Sequence, residues 1–145
     1  MIVQERFIIP KDIRTSLDNI YKNRKEFRDF YQNEYFDAGL LIDGISQSSM
    51  DYLSKKLNIK NIGLSWVIFK NIEEHVDGLS DTGDITNCII HKTNNKEKFY
   101  IGNESILLKK GQLITFNMTK KHGTQNIGSS RCFPSMCLFV DEIIK

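Results

Sequence analysis

Apolar residues recur at helical spacing in the first third of the chain, between Lys11 and Gln32. Five of them stand three, four or seven positions apart and therefore share one helix face: Ile13, Leu17, Ile20, Phe27 and Tyr31. The charged run at residues 22–26 is typical of a solvated helix face, and it also suits a docking surface for an acidic partner. The pattern predicts helical structure across this stretch.

A second, shorter stripe of apolar residues follows, formed by Met50, Leu53 and Leu57. This spacing predicts a helix from about Ser49 to Leu57. Ser48 and Asp51 have the spacing of a capping box, which marks the start of a helix.

Short runs rich in β-branched and aromatic residues alternate with turn residues from Gly63 onward. An extended stretch at residues 34–43 precedes them. The predicted strands are Leu64–Phe69, Ile85–His91, Phe99–Ile101, Ser105–Leu108, Gln112–Asn117 and Met136–Val140. Many short strands at regular spacing favour a mainly β sandwich or jelly roll, with flanking α-helices packed on one sheet from outside.

The length of 145 residues is that of one domain. We expect residues 1–58 to form a helical support region with the first strand, and residues 59–145 to form a jelly-roll core. A hydrophobic fraction of 40% with 26% charged residues suits a packed globular chain. A net charge of +2 is too small to indicate a nucleic-acid partner by itself.

Cysteine use and hydropathy bear on the cellular compartment. The three cysteines, Cys88, Cys132 and Cys137, form no C-x-x-C pair, which favours a reducing environment. No apolar run is long enough for a signal peptide or a membrane span. We therefore expect a cytoplasmic protein with no membrane partner.

The candidate chemistry lies in the histidines. His75 and Asp77 stand two positions apart, so on extended chain both side chains point to one side. His122, from a distant segment, can complete a face of two imidazoles and one carboxylate. That is the ligand set of non-haem Fe(II) oxygenases. Isolated histidines are more often structural and hydrogen-bonded, and Asp81 and Asp84 are competing carboxylates.

Arg131 stands nine residues after His122. A guanidinium grips a carboxylate through two parallel hydrogen bonds. A metal with open positions and an inward arginine would suit a dicarboxylate that chelates the metal at one end. Arg131 also stands in a Ser-Ser-Arg segment, where it can be a surface loop residue.

With this order and spacing, His-x-Asp…His…Arg, the sequence resembles the Fe(II)/2-oxoglutarate-dependent dioxygenases over Gly63–Val140. It looks closest to their prolyl-hydroxylase-like branch. Two stretches carry this likeness besides the metal pattern: the run His75–His91, and Gly111–Phe116 before the second histidine.

The resemblance implies a double-stranded β-helix (jelly roll) with the N-terminal helices on one sheet. It implies that His75, Asp77 and His122 bind Fe(II) as the catalytic centre, and that Arg131 pairs with the far carboxylate of 2-oxoglutarate. With O2, such a site hydroxylates a substrate C–H bond and releases succinate and CO2.

The resemblance also assigns cosubstrate contacts. His91 occupies a position that is usually tyrosine in that branch, and Asn87, four residues earlier, shares its strand face. We expect both to contact 2-oxoglutarate, although His91 is also suited to a solvent-facing strand end. Thr124 is expected to line the cosubstrate pocket or to be a packing residue.

The primary substrate is expected to be a peptide or a small amino-acid-like molecule, with nucleic acid not excluded. Two other functions fit the sequence. One is a non-catalytic jelly-roll module that binds a metal or ligand, and the other is a cupin-like metal enzyme that does not use 2-oxoglutarate.

Overall fold

A computed structural model of the chain describes residues 1–24, 35–77, 85–94, 96–128 and 133–143. Within these residues it has two helices and ten strands. The helices are α1 (Lys11–Lys22) and α2 (Gln47–Leu57). The strands are β1 (Ile2–Gln4), β2 (Tyr35–Leu40), β3 (Ile62–Phe69), β4 (Ile72–His75), β5 (Ile85–Lys92), β6 (Glu97–Ile101), β7 (Glu104–Leu107), β8 (Leu113–Asn117), β9 (His122–Asn126) and β10 (Ser135–Glu142).

The strands form two antiparallel sheets. The larger has six strands in the order β1-β8-β5-β10-β3-β2, and the smaller has four in the order β4-β9-β6-β7. Residues of both sheets share one apolar cluster, which includes Val67 of β3 and Phe99 of β6, so the sheets face each other. The prediction of a mainly β fold with flanking helices is confirmed.

Side chains of the six-stranded sheet alternate between its two faces, and a second apolar core lies on the face away from the smaller sheet. Trp66 and Ile68 pack with Ile13, Leu17 and other residues under the helices, whereas Val67 and Phe69 face the smaller sheet. Because both faces of β3 are covered, its sequence is almost continuously apolar. The helices therefore lie on one sheet from outside, as predicted, and of those described none combines the length and apolarity needed to cross a bilayer.

Helix α2 begins two residues earlier than predicted. Ser46 is its N-cap, and its side-chain oxygen accepts a hydrogen bond from the Ser49 backbone N–H at 3.2 Å. Asp51, predicted to belong to a capping box, instead accepts from the Gln47 side chain at 2.9 Å. Helix α1 ends at Lys22, with Asn23 as its C-cap, and residues 25–32 of the predicted helical stretch lie outside the described residues.

The Asp12 carboxylate ties the two helices together. It accepts hydrogen bonds from the Ser46 backbone N–H at 2.8 Å, the Ser49 hydroxyl at 2.6 Å and the Ile13 backbone N–H at 2.9 Å. These bonds, that from the Ser46 backbone foremost, lower the pKa of Asp12 to about 2. One carboxylate thus satisfies donors at the start of α1 and at the start of α2.

We expect Asp12→Asn to lower the free energy of unfolding by about 1 kcal/mol at pH 7, because a partly exposed charge is screened by solvent. A folded-state pKa below the unfolded value gives stability that is complete above pH 4 and is lost as the pH falls towards 2. Urea denaturation at pH 7 and pH 2.5 measures this, with Asp51→Asn as the matched control. If the difference in unfolding free energy between the wild-type protein and Asp12→Asn is as large at pH 2.5 as at pH 7, the role given to the Asp12 carboxylate is wrong.

Three strands were not predicted from the sequence, and two of them carry the candidate ligands. β4 reads IEEH and β9 reads HGTQN, so neither has the apolar alternation or β-branched content of a strand. Their pairing with each other and with β6 holds them in place. β1 is only three residues long and pairs with β8 at the sheet edge.

Candidate metal centre

The predicted ligands His75, Asp77 and His122 meet at one end of the space between the sheets. The pairing of β4 with β9 sets His75 opposite His122, with ring centroids 4.4 Å apart. The Asp77 backbone N–H donates to the Met118 carbonyl at 2.8 Å, which fixes the chain just past β4. One ligand atom from each of the three side chains lies within 4.8 Å of the others.

The hydrogen bonds of the two imidazoles determine which nitrogen is free. His75 Nδ1 lies 2.7 Å from the Glu73 carbonyl oxygen, and His122 Nδ1 lies 2.7 Å from the Lys120 carbonyl oxygen. Because a carbonyl oxygen only accepts, both Nδ1 atoms carry the proton. In its neutral form each ring therefore presents a lone pair at Nε2, the arrangement that second-shell carbonyls impose on metal-binding histidines.

Three acceptor atoms consequently converge on one point. Asp77 Oδ2 lies 3.2 Å from Nε2 of both His75 and His122. Without a proton or cation between them, three lone pairs at this separation repel one another. The donor set of two imidazoles and one carboxylate on one face therefore fits a divalent transition metal.

The centre has one buried side and one open side. His122 is 5% exposed, and the edge of its ring meets Phe116 at a centroid distance of 4.9 Å. Asp77 is exposed, so the other side of the site is reached from solvent. Gly123 permits the close approach of β4, since a Cβ there would lie 2.7 Å from the Ile72 carbonyl oxygen.

A cavity of about 260 Å³ extends from these ligands between the two sheets. Most of its wall is apolar, and its apolar side chains include Val67, Phe69, Ile72, Ile90, Phe99, Leu108, Ile114, Phe116, Met118 and Phe139. Thr124 also lines the cavity. Its Oγ1 accepts a hydrogen bond from the Ile72 backbone N–H at 3.0 Å, which leaves the hydroxyl proton free to donate.

Asn87 and His91 lie on the other face of β5. Thr86, Cys88 and Ile90 point into the cavity, so the residues between them face α1. His91 is 3% exposed, and its Nε2 lies 2.9 Å from the Asp18 carboxylate, so it is neither solvent-facing nor in the cavity. The two residues share one face, as predicted, but the structure does not bring that face to the candidate cosubstrate site.

His91 and Asn87 are both buried, and both side chains are hydrogen-bonded. Burial lowers the pKa of His91, and the Asp18 carboxylate opposes this only in part. Asn87 Oδ1 accepts a hydrogen bond from the Thr115 hydroxyl at 2.8 Å. Both residues thus connect strands and helix on the outer face of the larger sheet.

The cysteines are buried thiols in the described part of the chain. Cys88 and Cys137 line the cavity, and the Cys137 contact together with burial raises the pKa of Cys88 well above its usual value. The C-x-x-H pair of Cys88 and His91 is split between opposite faces of β5. Arg131 and Cys132 lie outside the described residues, as do the alternative ligands Asp81 and Asp84.

One polar cavity residue had no signal in the sequence patterns, namely Asp141. It follows Cys137 and Phe139 on the inward face of β10, one residue beyond the predicted end of that strand. Burial raises its pKa to about 6, an effect that the Thr86 hydroxyl and the Asn87 backbone N–H partly offset. Had the strand been extended to Glu142, period-two alternation would have placed this carboxyl inside.

Comparison with known proteins supports the fold. No protein-family model and no curated protein matches the chain. A prolyl-4-hydroxylase from Pseudomonas putida superimposes with a TM-score of 0.60 over 99% of this chain and 92% of its own, at 12% identity. The Cupin_2 domain of an XRE family transcriptional regulator from Enterobacter cloacae gives 0.51 over 78% of this chain and 100% of its own, at 14% identity.

The chain has the cupin-type double-stranded β-helix fold. This confirms the predicted fold class. At 12–14% identity the likeness concerns the fold alone, and the chemistry has to be argued from the side chains.

Proposed function

We propose that this protein is an Fe(II)- and 2-oxoglutarate-dependent oxygenase. It would hydroxylate a C–H bond of a peptidyl or amino-acid-like substrate and release succinate and CO2. The observation that carries the proposal is the convergence of Nε2 of His75, Nε2 of His122 and Oδ2 of Asp77 at the end of a mainly apolar cavity. The fold shared with a prolyl-4-hydroxylase supports it.

The chain's own residues would hold and orient the metal. The Glu73 and Lys120 carbonyls keep both imidazoles in the tautomer that ligates through Nε2. Three ligands on one face leave the opposite positions open to cosubstrate and O2. When bound, Fe(II) with 2-oxoglutarate supplies the activation of O2 and the oxidation of the C–H bond.

The cavity would hold 2-oxoglutarate behind the metal. Its apolar wall excludes water, and the free proton of Thr124 can donate to an oxygen of the cosubstrate. None of the described residues that line it is a lysine or arginine. In this proposal the far carboxylate is therefore paired by Arg131, which precedes β10 in the sequence by four residues.

A second candidate function is a metal- and ligand-binding module with no oxygenase chemistry. The observation that favours it is the lack of a basic side chain in the described wall, together with the buried carboxyl of Asp141. Such a module would bind a divalent metal at the same three residues but would not bind a dicarboxylate.

Anaerobic titration separates the two functions. Fe(II) and 2-oxoglutarate together should give a weak visible metal-to-ligand charge-transfer band, and admission of air should then produce succinate. Succinate in place of 2-oxoglutarate is the control, because it lacks the 2-oxo acid that chelates the metal. Metal binding with neither band nor succinate would reject the oxygenase and leave the binding module.

A further inference from the structure

The cavity has an acidic group that the metal site does not use. Asp141 lies on β10 beside Thr86 of β5, since the register pairs the preceding Val140 with Asn87. Thr86 in turn pairs with Phe116, whose ring contacts His122. Asp141 therefore stands on the wall adjoining the metal ligands, and it lines the same cavity as they do.

The Asp141 carboxyl is incompletely satisfied. Its Oδ1 is buried and has no hydrogen-bond partner within the described residues. The Thr86 hydroxyl is close enough to lower the pKa of Asp141, yet Thr86 Oγ1 also has no partner of good geometry in that part of the chain. Two neighbouring buried oxygens thus lack a hydrogen bond of good geometry within the described residues, and unsatisfied buried polar atoms are costly.

The charges that line the cavity determine which kind of ligand could form hydrogen bonds with these two oxygens. Its described wall contains two carboxylates, Asp77 and Asp141, and no lysine or arginine. A bound metal compensates Asp77, whereas Asp141 has no cation of the described chain beside it. A positive N–H donor placed beside Asp141 would match its carboxylate, and an anionic group placed at that position would be repelled.

We propose that Asp141, with the hydroxyl of Thr86, binds a protonated amine of the primary substrate beside the metal. This rests on the proposed function, because it names the substrate class of that site. The adjoining inward positions are Phe139 on β10 and Ser65 on β3, and the wall beyond them, which includes Val67 and Phe69, is apolar. The substrate class is therefore an alkylamine or amine-bearing amino-acid derivative whose hydrocarbon part packs between the sheets.

Arg131 and Asp141 are far enough apart in the sequence around β10 to bind different ligands, the cosubstrate and the primary substrate. Ser135 begins the strand and Asp141 stands six residues later, whereas Arg131 precedes Ser135 in the sequence. Six residues of strand span about 20 Å. In the sequence, the cation assigned to the cosubstrate thus precedes β10, whereas Asp141 stands near the end of that strand. Because burial holds the pKa of Asp141 near 6, the carboxylate is mostly ionised at pH 7.5.

The test uses small probes and does not depend on turnover. The full chain, loaded with diamagnetic Zn(II), is titrated at pH 7.5 with butylammonium chloride and with butan-1-ol, and amide chemical shifts are followed by NMR. We expect butylammonium to bind at least about tenfold more tightly than the alcohol, because only it forms a charge-assisted hydrogen bond. The largest shifts should occur at Thr86, Phe139 and Asp141.

Matched variants assign the effect to one carboxylate. Asp141→Asn should weaken butylammonium binding at least about tenfold and abolish the preference over butan-1-ol. Glu142→Gln is the control, since Glu142 is the next residue, has the same charge and is exposed. It should leave both affinities unchanged.

Two results would overturn the proposal: equal affinity of the wild-type protein for the two probes, or unchanged butylammonium affinity in Asp141→Asn. The comparison of probes in the wild-type protein decides the matter even if the variant does not fold. Lack of succinate formation together with selective ammonium binding would reject the oxygenase and keep the amine site. The two failures are therefore distinguishable.

Discussion

Replacing Asp77 with alanine is expected to abolish specific Fe(II) binding. The substitution removes the one anionic ligand and leaves two neutral imidazoles, which bind divalent metals far more weakly than the complete set. We expect the dissociation constant to rise by about two orders of magnitude or more, since even loss of an outer-shell partner costs about 10–100-fold. Anaerobic equilibrium dialysis with Fe(II) measures the change directly.

Metal-dependent stabilisation gives a second readout of the same substitution. A metal at 100 times its dissociation constant stabilises the folded state by about 2.7 kcal/mol, and a hundredfold weaker affinity in Asp77→Ala should reduce this gain to about 0.4 kcal/mol. Glu74→Ala is the matched control, because Glu74 is a nearby exposed carboxylate outside the cluster. Wild-type Fe(II) affinity in Asp77→Ala, or equal loss in Glu74→Ala, would show that the three residues are not the metal site.

The candidate metal ligands could be picked out from the sequence because two of them stand close together in the chain. His75 and Asp77 are two residues apart, and extended chain places such residues on one side. The strands that carry them were not predictable. Polar β4 is a strand because it pairs with β9, and glycine-containing β9 is a strand because it pairs with β4 and β6; no local pattern records these pairings.

The alternation of side chains along a strand shows which residues share a face, but it does not show which face meets the cavity. Alternation correctly indicates that Asn87 and His91 share a face, but both faces of β5 are buried, so the pattern does not tell which of them meets the cavity. The answer depends on α1, whose Asp18 pairs with His91. Asp141 was missed for a related reason, because a carboxyl beyond an apolar run usually marks the end of a strand.

The proposed binding of 2-oxoglutarate depends on Arg131. Thr124 supplies one neutral donor, and no lysine or arginine stands in the described wall of the cavity. A dianion with a carboxylate buried between the sheets needs a compensating cation, because an unpaired buried charge is strongly destabilising. In the proposed function that role falls to Arg131, nine residues after His122, as the resemblance to 2-oxoglutarate-dependent dioxygenases implies.

We expect Arg131→Ala to raise the KM for 2-oxoglutarate by about two orders of magnitude, which corresponds to the loss of a charge-assisted bidentate pair of about 2–3 kcal/mol. Fe(II) affinity should remain close to that of the wild-type protein, since Arg131 is not a ligand. Arg131→Lys should recover only part of the affinity, because an ammonium keeps the charge but not the planar fork. Succinate formation at varied 2-oxoglutarate and fixed Fe(II) measures all three.

Lys110→Ala is the control for this experiment, since it removes an exposed cation elsewhere on the surface. It should leave the KM unchanged, which separates a specific pair from a general change in net charge. An unchanged KM in Arg131→Ala would remove Arg131 from the site. Since no basic side chain stands in the described wall, the proposal that this cavity binds a dicarboxylate would then lose its remaining electrostatic support.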